Sequence, residues 1–438
     1  MKKSKKMEGL GQIPEHWGVM ELGRIGTFVR GSGLTKADLQ AEGVGAIHYG
    51  QIHTYYNTHT TQTKSFISPA LARRLKKARH GNLIITGVSE DIEGVCKAVA
   101  YLGKADICIS GDIFAYSHKQ DPKYIAYAFQ TDYFSRLKAK YANGVKVMRV
   151  KLENLKNFKI PLPPLEEQHA IASLLDNKIA KIQECITKKT RMTELLKEYK
   201  QALITQIATK GLDPQAKLKP SGVAWLEDIP EGWGVVKLKY LVKKIRSGGT
   251  PKTSVPKFWT SSKEKGFLWV AIEDMKSSTI EDTRRYITQE GLNASSAHLV
   301  PPFSVLYSIY ASLGKVAYST QELTTNQAIL AIEPNDKCFY KFLFYYLHSM
   351  EQIIKSFASM TTQNNLSLAI VKDLVIPLPP LKEQHAIASL LDEKTAKIDS
   401  LLAKLQAQIQ TLKEHKSALI SAGVLGQLHL KANHAKIQ

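Results

Sequence analysis

A chain of 438 residues with 60 Lys and Arg against 39 Asp and Glu carries a formal charge of +21 and has a pI near 9.5. Its 44% hydrophobic content excludes a disordered chain, and the length corresponds loosely to about three domains. So large a basic excess points to a polyanionic partner, although positive charge also serves solubility.

The first residues, MKKSKKMEGLGQIPEHW, have a basic head with no apolar run behind it, so no signal peptide is expected. No stretch nears the roughly eighteen apolar residues of a membrane helix. Cys96, Cys108, Cys185 and Cys338 lie far apart without metal-ligand spacing, which predicts reduced thiols and a cytoplasmic location. Residues 13–19 read IPEHWGV. Arg30, Gly31, Ser32 and Gly33, followed by Lys36, form a short glycine loop beside cations. Such a loop lets backbone N–H groups approach phosphate while the cations neutralise it; a plain tight turn uses the same residues. Residues 37–150 are short β-favouring runs cut by Gly, Asp and Asn. Tyr49, Gln51 and His53 alternate along an expected strand and are candidates for a binding face. Arg73 and Arg74 head a dense basic run ending at Arg79, suited to phosphates or equally to a solvated helix face. Residues 124–140 read as a shorter helix whose aromatics face a core.

Residues 160–176 read IPLPPLEEQHAIASLLD. Each proline fixes φ and disfavours helix in the residue before it, so the start of this segment is extended. Pro164 can take the first helical position. Glu166 and Glu167 then fall in the first turn, where the helix dipole favours negative charge. Leu175, Ile179, Ile182, Ile186, Leu196, Leu203 and Ile207 continue in a heptad register. The spacing predicts a helix of about 44 residues, or roughly 65 Å. Residues 211–228 contain Gly, Pro and Asp without periodicity and read as a linker.

The second half repeats this order. Residues 229–235 read IPEGWGV, and Arg246, Gly248, Gly249, Thr250 and Lys252 make a second loop of glycines and cations. Residues 250–370 are again β-rich but differ in detail, with Trp269 and Ala271 alternating along a strand. Asp274-Met-Lys276 has nuclease-like spacing, but no second acid is placed beside it and a solvated loop is expected. Residues 341–357 predict another shorter helix. Gln363, Asn364 and Asn365 supply amides able to read adenine edges, or ordinary turn chemistry. Residues 376–392 read IPLPPLKEQHAIASLLD, so the offset is 376 − 160 = 216 and only Glu166 versus Lys382 differs. Leu391, Thr395, Ile398, Leu402, Leu405, Ile409, Leu412, Leu419 and Gly423 keep the stripe, with Lys189 and Thr193 breaking the first copy where the second has Leu405 and Ile409. One shared register implies that the two helices pack on each other. A repeat this long is a duplicated domain pair, each half a globule followed by a long helix.

Catalytic motifs are missing. Gly103-Lys104 and Gly314-Lys315 lack the glycine spacing and the Ser or Thr of a phosphate loop, and no GxGxxG follows a strand. Pro161-Leu-Pro-Pro164 lacks the Asn and the aromatic of an amino-methyltransferase motif. The histidines show no zinc-like spacing; His169 and His385 read as packing or capping residues.

The doubled IPLPPLxEQ…IASLLD segment with its long helices, the IPE-x-W entries, RSGGTPK, GFLWVAIEDM, SLGKVAYS with Thr325-Asn-Gln327, IHYGQIHTYY and SEDIEGVCKAVAY together resemble the specificity (S) subunit of type I restriction-modification systems, over essentially the full length. The resemblance implies an α+β fold: two β-rich target-recognition domains separated by two long antiparallel coiled-coil helices, duplicated about a pseudo-twofold axis. The first recognition domain is then residues 1–157, helix one 158–210, the linker 211–228, the second domain 229–373, and helix two with the tail 374–438. It implies a non-catalytic reader of double-stranded DNA, with two modification (M) subunits docked on it. Restriction (R) subunits join through that complex, and S-adenosylmethionine, ATP and Mg belong to those partners. Leu174, Leu175, Ile179, Ile182, Leu390, Leu391, Ile398 and Leu402 are the candidates for coil or subunit docking. A self-contained DNA endonuclease or methyltransferase is the alternative and needs a catalytic motif not seen here; a coiled-coil scaffold without nucleic acid fits the charge less well.

Overall fold

The computed structural model describes residues 4–7, 11–359 and 365–428. The chain divides into two compact units, Met1–Thr190 with Ala407–Gln438, and Arg191–Gln406.

In the first unit, Leu83–Thr86 and Ala98–Tyr101 are buried at every position, on both faces, so they are interior strands. They sit in a five-stranded sheet ordered Gly26–Arg30, Ile113–His118, Leu83–Thr86, Ala98–Tyr101, His59–Thr60, antiparallel except for the last pair. Alternate side chains serve different cores. Ile84, Val99 and Ile113 pack toward Ile47 and Ile109 of a second, four-stranded sheet. Leu83, Ile85 and Tyr116 pack toward the helix Pro122–Ala128 and the long helix that follows. The expected single helix over 124–140 is two, Pro122–Ala128 and Asp132–Tyr141. Thr131 starts the second as its N-cap, its hydroxyl accepting the Phe134 N–H at 3.2 Å.

The second unit repeats the plan with other residues. Its four-stranded antiparallel sheet runs Val242–Ser247, Ile329–Pro334, Val305–Ser308, Val316–Tyr318. Val305, Tyr307, Leu330 and Ile332 face the helix Tyr340–Ser349, while Leu306, Ile329 and Ala331 face the second four-stranded sheet, which contains Phe267–Val270. Here too the expected helix is divided, into Tyr340–Ser349 and Glu351–Ser359.

The doubled proline segments are strands, as their restricted φ requires. Lys159–Leu162 pairs antiparallel with Gly18–Glu21, and Val375–Leu378 with Gly234–Lys237. In each unit the strand that follows the IPE-x-W entry pairs with the IPLPP segment, so the two repeated motifs are neighbours in the fold. The helices Leu165–Lys210 and Leu381–Val424 follow at once. Pro164 stands just outside the first helix rather than at its first position, its carbonyl accepting the Gln168 N–H at 3.0 Å; Pro380 does the same for Gln384.

Within the first unit the two helices run antiparallel. Leu175 lies over Gly423, Lys416 donates to Gln183 at 3.1 Å, and Lys189 donates to Gln408 at 2.7 Å, so partner numbers fall on one helix as they rise on the other. In the second unit Lys200 reaches Asp399 in the same sense at 2.6 Å. The stripe buries Leu175, Ile179, Ile186, Leu391, Thr395, Ile398, Leu405 and Leu419. Lys189 and Thr193 do not break it: Lys189 bonds across the pair, and Thr193 is 8% exposed. The fold is therefore α+β, two β-rich globules and two long helices with the order of parts repeated.

Candidate nucleic-acid interface

Each globule is held to its long helix by the same polar clamp. In the first unit Gln168 is fully buried; its Nε2 donates to the Pro163 carbonyl and to Gln120 Oε1, both at 2.8 Å, and its Oε1 accepts the Asp121 N–H at 3.0 Å. Asp176 accepts from Lys123 at 2.6 Å and from the Tyr127 hydroxyl at 2.7 Å. Glu167 accepts the Trp17 indole N–H at 3.0 Å. In the second unit Gln384 donates to the Pro379 and Lys337 carbonyls and accepts the Phe339 N–H. Asp392 takes Lys341 and Tyr345, and Glu383 takes Trp233. Burial, with the carboxylates beside them, raises the Tyr127 and Tyr345 hydroxyls well above the usual phenol range, so both stay protonated donors. The sequence places Glu167 in the first turn but assigns Gln168 and Asp176 no role, although a Gln and an Asp kept in both copies of the segment are a usable signal. His169 bonds Asp121 at 2.5 Å and His385 stacks on Phe339, which are structural roles.

The expected DNA-facing residues of the first unit are unequal. Arg30 is exposed at the end of its strand, its Nε donating to the Gly111 carbonyl at 2.9 Å and its guanidinium 3.9 Å from the Asp112 carboxylate. Ser32 Oγ accepts the Lys76 N–H at 3.0 Å, which ties this loop to the basic run. Gly33 is exposed with open space where a side chain would be, and Lys36 is exposed beside it. Arg73 and Arg74 are exposed, but they follow the short helix Pro69–Ala72 and do not form a helix face. Tyr49, Gln51 and His53 are not on a strand. They belong to the helix Tyr49–Thr54, which His48 caps by accepting the Gly50 N–H while Gln51 accepts the His48 N–H. The Gln51 amide also donates to Ser65 at 2.7 Å, so its amide is spent on the fold. His53 Nε2 meets the Val88 carbonyl at 3.2 Å.

In the second unit Arg246 and Lys252 are exposed. Gly248 and Gly249 do not cradle phosphate through their amides. Those N–H groups donate to the Ile329 and Thr325 carbonyls, and a Cβ on Gly248 would lie 2.0 Å from the Thr325 oxygen. The glycines are there for close packing. Thr250 donates to Gln327, which joins the loop to the Thr325-Asn-Gln327 segment. Trp269 is 7% exposed and donates to the Gly249 carbonyl at 2.9 Å, so it supports the loop rather than offering a stacking face. Trp259 packs edge-on against it, and the exposed Arg285, which the sequence reading passed over, lies over Trp259 at 3.7 Å. Burial, then Arg246, holds His298 below the usual imidazole range, which marks a local cluster of positive charge with Lys244. Gln363 and Asn364 lie outside the described residues; Asn365 forms an antiparallel bridge with Tyr310. Asp274 accepts the Ala271 and Arg284 N–H groups, a loop-closing role that explains its place better than nuclease chemistry.

Of the helix candidates, Leu175, Ile179, Leu391 and Ile398 are buried in the seam or against their own globule. Leu174, Ile182, Leu390 and Leu402 are half-buried, and Leu165 and Leu381 are exposed. Among the described residues no helix is long and apolar enough to cross a membrane. The four cysteines are free thiols, with burial pushing Cys96 and Cys338 up to about 12.

Two diverged β-rich globules on one repeated frame, each with a cation-bearing loop, define a duplicated recognition module. The model of the type I restriction modification DNA specificity domain matches twice, over residues 14–193 and 230–411, and the chain belongs to that family. Its members are the non-catalytic, DNA-recognising subunits of restriction-modification complexes. The chain is 26% identical over 452 residues to the type I restriction enzyme MjaVIII specificity subunit of Methanocaldococcus jannaschii, covering 98% of this chain and 96% of that one. It is 21% identical over 442 residues to the StySPI specificity subunit of Salmonella potsdam, covering 95% and 90%. The fold matches a chain from structural work on complex assembly and conformational transition of the type I R-M system, with a TM-score of 0.72 at 19% identity over 95% of this chain and 99% of that one. It also matches the crystal structure of the HsdS subunit from Thermoanaerobacter tengcongensis, with a TM-score of 0.51 at 19% identity over 95% and 98%.

Proposed function

We propose that this chain reads a bipartite, asymmetric site in double-stranded DNA, one half with each globule, and directs adenine methylation by two M subunits and restriction by R subunits. The observation that carries the reading is the contrast between frame and interior. The clamp of Gln168, Asp176 and Glu167 recurs as Gln384, Asp392 and Glu383, while the loops it presents differ in sequence and in hydrogen bonding. Equal frames suit a partner that docks twice, and unequal loops suit two different half-sites. Arg30, Lys36, Arg73 and Arg74 in one globule, and Arg246, Lys252 and Arg285 in the other, are the exposed cations that would meet phosphate or base edges in the major groove. On this reading S-adenosylmethionine, ATP and Mg are held by the partner subunits and not by this chain.

The test is exchange. Replacing residues 37–150 with the matching part of a relative, in the complex with its M subunit, changes one half of the methylated motif and leaves the other. A motif whose two halves change together overturns the reading. DNA binding by the complex also weakens steeply with salt, because bound cations release counterions. Arg246→Ala and Lys252→Ala each reduce that slope by about one and weaken all sequences alike. An unaltered slope in both variants removes this loop from the interface.

A further inference from the structure

The duplicated segment separates what packing requires from what it does not. Gln168, Ile171, Ala172 and Leu175 recur as Gln384, Ile387, Ala388 and Leu391, and all eight are buried inside their own unit. Their identity is explained by the core. Leu165 and Leu381 recur too, at 46% and 44% exposure, and the pairs Ala170 with Ala386 and Ser173 with Ser389 are exposed as well. Positions 165, 166, 169, 170 and 173 share one helix face. His169 and His385 are held inside their units by Asp121 and Phe339, but among the described residues no side-chain hydrogen bond or ion pair inside either unit accounts for Leu165, Ala170 and Ser173 recurring, whereas one partner surface docking on both copies does.

The single difference lies on that face. Glu166 and Lys382 are both exposed, and neither forms an ion pair among the described residues. The fold gives no reason for the lysine. The first turn of a helix favours acids, and the first long helix has Glu166 and Glu167 there while the second keeps only Glu383. Lys382 opposes its own helix dipole, and its exposed ammonium is open to a partner.

We propose that the two M-subunit sites, one in each unit, are electrostatically unequal, with Glu166 and Lys382 as the residues that distinguish them. This rests on the reading that M docks twice. The same M surface meets a carboxylate in one unit and an ammonium in the other. Any charge it carries there is attracted at one site and repelled at the other, so the M subunits load in order through a populated intermediate with one M bound.

The experiment titrates the full chain with the M subunit of its own system, following species by native mass spectrometry and affinities by calorimetry. Two equal, independent sites give stepwise dissociation constants about fourfold apart from statistics alone. The expected ratio at low salt exceeds that by roughly three- to tenfold and shrinks as salt rises. Glu166→Lys, which makes both sites basic, and Lys382→Glu, which makes both acidic, each bring the ratio back toward the statistical value. A statistical ratio in the unaltered chain overturns the proposal. So does a larger ratio that neither variant moves. Saturation at a single M instead overturns the two-site reading beneath it.

Discussion

His118 ends a strand of the first unit with its ring turned inward. Its Nδ1 accepts the Gln120 N–H at 3.2 Å, and its Nε2 is buried without a partner. Burial pushes the imidazole from an ordinary 6.5 down to about 4. Protonation would also set a second donor against the Gln120 N–H. The unfolded chain therefore takes up this proton first, and the ring's contribution to stability is complete above about pH 6.5 and lost as the pH falls toward 4. His118→Phe keeps an aromatic ring and removes the titration. Its unfolding midpoint therefore falls less steeply between pH 6.5 and 4 than that of the parent chain. Parallel curves would show that His118 is solvated. Residues of this kind are poorly legible in sequence, because their state depends on neighbours far along the chain. Gly248 teaches the same point. A glycine beside an arginine suggested a phosphate loop, but the atom that demands the glycine is the Thr325 carbonyl, 77 residues away in sequence (325 − 248 = 77). What was legible is what solvent exposure alone decides, namely which arginines and lysines remain outside.

At the scale of elements, the long helices and the strands before them could be read because their signals are local and repeated. Prolines fix the strands, and the heptad stripe fixes the buried face. The helix Tyr49–Thr54 was missed because six residues give little periodicity, and its start rests on a His cap outside the usual Ser, Thr, Asp and Asn. The breaks in the shorter helices were missed because apolar residues continue straight across them. Thr131-Asp132 was a cap signal that the apolar pattern concealed. The seam also grades its own residues. Leu175 is fully buried, with its methyl groups seated where Gly423 leaves room, whereas the adjacent Leu174 is half-buried. Leu175→Ala removes a packed side chain that its surroundings cannot replace and costs about 2–5 kcal/mol. Leu174→Ala costs less, under about 2 kcal/mol, since much of that side chain already meets solvent. Denaturant midpoints of the two variants give the comparison; equal losses would mean that the seam is not centred on Leu175.

At the scale of the molecule, the question is what the long helices measure. Leu165–Lys210 has 46 residues and Leu381–Val424 has 44. At about 1.5 Å per residue each is roughly 65–70 Å long. Both belong in part to each unit: the first helix changes unit after Thr190 and the second after Gln406. On the proposed reading, half-sites met on one face of B-DNA would lie about 34–36 Å apart, a span shorter than either helix. Leu175 over Gly423 and Lys200 with Asp399 give partner numbers summing to 598 and 599 (175 + 423; 200 + 399). Cuts that face each other therefore fall between Thr190 and Arg191 and between Ala407 and Gln408, where 190 + 408 = 598. Seven residues of heptad sequence inserted at both cuts keep every seam position in phase and lengthen the rods by about 10 Å. DNA can absorb part of that change by twisting and bending at a cost of order 1–6 kcal/mol, and only a component of the added length need lie along the duplex. The expected methylated motif of the insertion variant keeps both half-sequences and gains one or more base pairs of spacer, read genome-wide in cells carrying the variant with its M subunit. If methylation persists with the spacer unchanged, the helices join the two globules without setting the distance between half-sites, and the spacing must be fixed by the partner subunits instead.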